Sequence, residues 1–143
     1  MKLTKIVTIG LFGLVAFLTG CASVSRQATN IYPEPKTDKG LVYFYREKKF
    51  IGCAISYNVK EGDKIVGAIA NGTYFFLFAD PGKHTYTAST EASSARTLDI
   101  EAGKTYYVEA GIDMGIMAGR PALKIANEAE AKSVLPNCTY ATK

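Results

Sequence analysis

Histidine occurs once in this sequence and cysteine three times, and no Gly-x-Ser-x-Gly elbow is present. Each shortage removes a class of chemistry. A lone His84 is no general base without a nucleophile in reach, and no signature supplies one. Downstream of the amino-terminal segment, Cys53, Cys138 and His84, with no C-x-x-C pair, fall short of a tetrahedral metal site. No metal, cofactor or catalytic residue is therefore expected, and the chain does not read as an enzyme. One-signed charge is scarce too. Short basic groups such as Arg46-Glu47-Lys48-Lys49 are interrupted by acids, so they read as solvated turns and not as a nucleic-acid surface.

The amino terminus does carry a signal. Lys2 and Lys5 precede an uncharged, mostly apolar run from Ile6 to Leu18. The run is short against the roughly 20 residues of a spanning helix, and it ends in small residues without a stop-transfer cluster. Residues 1–20 read as a cleaved signal peptide. Leu18-Thr19-Gly20-Cys21 resembles the lipobox of bacterial lipoproteins: an aliphatic residue, two small ones, then a cysteine. Small neighbours leave the thiol open to a lipid donor and the preceding bond open to a peptidase. The resemblance implies lipid on Cys21, and several acyl chains together make a durable anchor where one is marginal. Ala22-Ser23 follow, without the aspartate that signals inner-membrane retention, so the expected place is the outer membrane, facing the periplasm. Removing Lys2 and Lys5 from the precursor's +4 leaves about +2.

Export allows disulfides to persist. A Cys53–Cys138 bridge would close about 85 residues, worth roughly 4 kcal/mol in a chain-entropy model before strain. Alternatively, Cys53 is a small apolar residue on a buried strand face. Residues 21–39 are polar, with Pro33 and Pro35, and read as a lipidated flexible tether. Residues 40–143 read as one domain of ordinary size.

Within it, Leu41 to Tyr45 form a β-branched and aromatic strand closed by Glu47-Lys48-Lys49. Cys53, Ile55, Tyr57 and Val59 alternate with polar neighbours, the period of a half-exposed strand. Glu61-Gly62-Asp63 turns into Lys64 to Ala70, and Asn71-Gly72 reads as a hairpin turn. Thr73 to Phe78 lacks polar alternation, as a central strand covered on both sides should. Asp80-Pro81-Gly82 is another turn. His84, Tyr86 and Ala88 alternate after it, Leu98 and Ile100 mark a further strand, and Thr105 to Ala110 the next. Gly111 to Gly119 reads as flexible strand, bulge or loop, followed by a strand from Ala122 to Ala126. Asn127 and Glu130 have capping-box spacing for a short helix ending near Leu135 and Pro136.

Val42-Tyr43-Phe44-Tyr45-Arg46, Asn71-Gly72-Thr73-Tyr74, Pro81-Gly82-Lys83-His84 and the Ala102 to Val108 stretch together resemble the bacterial lipoprotein family called domain of unknown function twenty-eight forty-six. The Pro-Gly-x-His turn and Ala-Gly-Lys strand are also similar to small envelope sandwiches of the PEGA type. Strands at a spacing of roughly ten residues give the pattern of a sandwich or barrel, and the PEGA likeness implies the immunoglobulin-like or transthyretin-like kind. With the capped helix, the expected fold is all-β, an antiparallel β sandwich with a short C-terminal helix. No activity comes with either resemblance.

His84, opening a strand after a turn, is expected to hydrogen-bond structurally. Arg46 is expected to sit in a buried ion pair with an acid such as Asp99 or Glu109, or to clamp a ligand. Adjacent Tyr106 and Tyr107 point to opposite faces, so at most one is inward and the other is an exposed contact. The functional expectation is a lipid-anchored, non-enzymatic envelope module that binds another envelope protein or supports a membrane assembly. The alternative is a glycan or peptidoglycan binder using exposed aromatic rings. A hydrolase, requiring His84 beside a hydroxyl and an acid, ranks last.

Overall fold

A computed structural model describes residues 24–115 and 118–142. The lipobox and Cys21 lie outside the described residues, as do Ile116 and Met117. The described residues form a β sandwich with one short α-helix near the C-terminal end. One sheet combines β2 (Gly40–Tyr45), β5 (Thr73–Ala79), β8 (Thr105–Met114) and β9 (Gly119–Ala126) with two short strands, β1 (Ser25–Arg26) and β10 (Thr139–Thr142), in the order β1-β10-β5-β2-β8-β9. The other contains β3 (Tyr57–Glu61), β4 (Lys64–Ile69), β6 (Gly82–Ser89) and β7 (Ser93–Ile100), in the order β4-β3-β6-β7. Antiparallel pairing holds throughout the smaller sheet, whereas the larger carries two parallel pairs, β2 with β8 and β10 with β5. Neither parallel pair is joined by a tight turn, so nothing forces the strands antiparallel.

Asn71-Gly72 turns the chain as expected but makes no hairpin. Thr73 N–H donates to Ala70 O at 3.2 Å and Ala70 N–H to Thr73 Oγ1 at 3.0 Å, closing the turn. The turn carries the chain from β4 in one sheet to β5 in the other. The two strands then face each other across the core. Gly67 permits this, because a Cβ there would lie 2.4 Å from the Phe75 ring.

Period-two alternation divides the larger sheet. Val42, Phe44, Phe75 and Val108 pack inward against Tyr57, Val59, Tyr86 and Leu98 of the smaller sheet. Leu41, Tyr43, Tyr45, Tyr74 and Tyr107 point outward and are buried too. Their cover is helix α1 (Glu128–Val134), the 3-10 turn Leu135–Asn137, and the segment before β2. The helix begins as its sequence predicts: Asn127 accepts from Glu130 N–H at 2.9 Å, and the Glu130 carboxylate accepts from Asn127 N–H at 3.2 Å. Gly111 to Gly119, uncertain in sequence, continues β8 to Met114 and opens β9 at Gly119. Pro121 fits there because β9 is an edge strand.

The expected free tether is corrected most. From Ser25 onward it is docked. Ser25 and Arg26 pair with Thr142 and Ala141, and Gln27 N–H donates to Tyr140 O at 2.8 Å. Asn30 accepts from Tyr140 N–H and donates to Cys138 O. Tyr74 Oη accepts from Ile31 N–H and donates to Ile31 O, both at 2.9 Å. Lys36 lies over the Phe78 ring and Lys39 pairs with Asp80. Proline and polar composition therefore mark a chain without regular structure of its own, held by the surface beneath it.

Candidate functional site

Where the docked segment and helix α1 diverge, they leave a groove of about 450 Å³ over the outer face of the larger sheet. Tyr43 and Tyr107 form its floor, stacked at 5.6 Å between ring centroids with 12° between planes. Tyr32 stands at one wall, half exposed, stacked on Tyr74 at 5.3 Å and donating to Leu135 O at 3.3 Å. The other wall carries Glu128 and Lys132, an i,i+4 pair at 2.5 Å. Burial, helped by neighbouring Tyr107 and Tyr32, pushes the Tyr43 phenol up to about 12. It remains a neutral hydroxyl at physiological pH. Tyr43 and Tyr107 are 5% and 8% exposed, so they offer ring edges more than open faces. Such a groove can hold an apolar or ring-shaped group and hydrogen-bond its rim.

Neither tyrosine of the Tyr106-Tyr107 pair is the exposed contact anticipated. They do point to opposite faces, but both faces are covered. Tyr106 packs against the inter-sheet core and accepts from Glu101 N–H at 2.9 Å, while Tyr107 joins the outer cluster. At the groove the half-exposed aromatic side chain is Tyr32, which sequence reading missed inside a polar stretch. Its signal was the apolar pair Ile31-Tyr32 before Pro33.

His84 behaves structurally. Nδ1 lies 2.5 Å from Glu61 Oε1 and Nε2 lies 2.8 Å from Asp80 O. Burial opposes charge on the ring, but the Glu61 hydrogen bond and the Asp80 carbonyl outweigh it and raise the pKa above the ordinary imidazole value. With both nitrogens engaged by a carboxylate and a carbonyl, neither is placed to take a proton from a hydroxyl. The ring instead ties the start of β6 to the end of β3.

Arg46 is buried, 4% exposed, but its partners are not Asp99 or Glu109. The guanidinium donates to Gly52 O and Ile55 O, each at 2.6 Å. Burial lowers its pKa below the usual arginine value. It pins the β2–β3 loop.

The possible Cys53–Cys138 disulfide is corrected as well: both thiols are free. Cys138 is buried beneath the helix, its Sγ donating to Arg46 O at 3.4 Å, and burial pushes its pKa up to about 11. Cys53 is exposed in a turn, because β3 begins only at Tyr57 and the upstream alternation belongs to loop.

A two-sheet sandwich, its larger sheet covered outside by a short helix and an extended segment, defines the class of domain. Residues 36–122 match the family described as protein of unknown function (DUF2846), and the chain belongs to that family. The match runs from just before β2 into β9. It leaves out Tyr32 to Pro35 and helix α1, so two walls of the groove lie beyond it. The chain is also 27% identical to an uncharacterized protein of Haemophilus influenzae over 92% of this chain and 82% of the relative.

Proposed function

We propose that this chain is a lipid-anchored cell-envelope protein, held by acyl chains on Cys21 at the outer membrane facing the periplasm, and that its sandwich is a non-enzymatic binding or structural module. The observation that carries the reading is continuity. The lipobox-like Leu18 to Cys21 ends three residues before Val24, and from Ser25 the chain is already paired with the sandwich. A lipid on Cys21 would therefore hold a folded body close to the bilayer and not at the end of a loose leash. Engagement of both His84 nitrogens supports the non-enzymatic reading.

Acyl labelling in cells, with detergent partitioning, tests the anchor. The wild-type chain should take up labelled fatty acid and enter the detergent phase, and Cys21→Ser should remain unlabelled. A Cys21→Ser chain that is still acylated would sink the assignment. A second reading, a glycan or peptidoglycan binder, is favoured by the tyrosine-floored groove. Soluble peptidoglycan fragments should then perturb the Tyr43 and Tyr107 ring resonances, and unchanged spectra at saturating fragment would remove it.

A further inference from the structure

The loop between β2 and β3 keeps Lys48 and Lys49 outside and Ile55 half-buried. It also turns the Arg46 side chain inward, while Phe50, its largest apolar side chain, and Ile51 are 91% and 67% exposed. The usual preference is the reverse. Nor is the loop slack. Arg46 grips Gly52 O and Ile55 O at 2.6 Å, and Cys53 and Ile55 N–H donate to Phe50 O and Gly52 O. Gly52 adopts φ 74°, a turn conformation that favours glycine. The framework holds Phe50 and Ile51 outward.

We propose that this loop is a membrane-contact device, Phe50 and Ile51 entering the lipid interface beside the Cys21 anchor. The proposal rests on the lipid-anchor reading and deepens it. Position supports it first. Asn71 joins the two segments: its carbonyl accepts from the Arg26 guanidinium at 2.8 Å, and its side-chain oxygen accepts from Lys49 N–H at 2.9 Å. The anchored end of the chain and the loop thus share one corner of the sandwich. Val24 follows Cys21 by three residues, a reach of about 10 Å, so this corner stays close to the bilayer that holds the lipid.

Charge is the second support. Arg26, Lys48 and Lys49 gather around the Asn71-Gly72 turn; Glu47 pairs with Lys49 at 2.9 Å, and Glu109 and Asp113 of β8 line a groove shared with Lys49 and Ile51. Cations flanking apolar tips suit an interface with anionic headgroups, where lysine stems lie along the apolar boundary and ammonium groups reach water. Size is the third. Two side chains fall far short of the roughly 1,200 Å² buried by a stable protein–protein interface, whereas interfacial insertion has no such threshold.

The sequence contains no tryptophan, so Phe50→Trp creates a single fluorescent reporter at an exposed position. The full acylated protein is reconstituted in phosphatidylethanolamine and phosphatidylglycerol vesicles, with or without brominated acyl chains. Emission from the Phe50→Trp protein should shift to the blue and be quenched about twofold or more by the bromines, as for a ring about 5–10 Å into the interface. Ala102→Trp, in the exposed turn at the opposite end of β2, should be unaffected. Ile51→Trp gives an independent second reading. Solvent-like, unquenched emission from both loop reporters, in protein whose intact mass shows the acyl groups, would overturn the proposal and leave the loop to a protein partner. An intact mass without acyl groups would overturn the anchor itself, and this proposal with it.

Discussion

The two faces of the larger sheet are both buried, yet they are closed by different means. Inward, Phe44 stacks on Phe75 at 4.9 Å and meets Tyr86 edge-on at 5.1 Å, within a core shared by two hydrogen-bonded sheets. Outward, tyrosines predominate, and several spend their hydroxyls on chain that has no regular structure. Tyr74 holds Ile31 through both its N–H and its carbonyl, and Tyr43 reaches Pro33 O at 3.4 Å. A strand brings its own ladder of backbone partners, but an extended segment must find donors and acceptors on the surface it covers. Tyrosine supplies ring area and one polar atom together. The outer face is therefore the less tightly sealed of the two, and the groove lies on it.

That contrast can be broken from either side. The largest effect is expected inside. Phe44→Ala should cost about 3–5 kcal/mol, since it removes a fully buried ring from close-packed surroundings, and a urea titration would register this as a lowered midpoint. On the outer face, Tyr74→Phe keeps the ring and deletes only the hydroxyl that holds Ile31. A loss of about 1 kcal/mol is expected, with an unchanged denaturant slope, because the sandwich still unfolds as one unit. Equal losses at the two positions would erase the distinction between the faces.

Much of the sandwich was legible in the sequence. The strands around Leu41 to Tyr45, Thr73 to Phe78 and Thr105 to Ala110 declare themselves through β-branched and aromatic runs bounded by turn residues. Asn127 and Glu130 likewise mark the helix start by local chemistry alone. Features that depend on distant partners were not legible. A tight Asn71-Gly72 turn looks the same whether its strands pair or separate into opposing sheets, and the difference lies in distant partners: β4 pairs with β3 and β5 with β2, with Gly67 leaving room for the Phe75 ring between them. Alternation from Cys53 to Val59 overstated β3, because the Arg46 side chain holds that loop through its carbonyls. The groove was hidden for a related reason. Its wall at Tyr32 belongs to a stretch whose prolines and polar residues describe a tether, while the tyrosines that hold that stretch, Tyr43 at Pro33 and Tyr74 at Ile31, lie 10 and 43 residues further along the chain.

The central claim is that the chain from Ser25 onward is part of the folded body, so that a lipid on Cys21 would hold the sandwich close to the membrane. Amide hydrogen exchange in the wild-type protein tests it most directly. Gln27 N–H, bonded to Tyr140 O, and Ile31 N–H, bonded to Tyr74 Oη, should exchange at least about tenfold more slowly than in an unstructured peptide, because opening them requires undocking the segment. Exchange of both amides at the unstructured rate would contradict the account and restore a free tether.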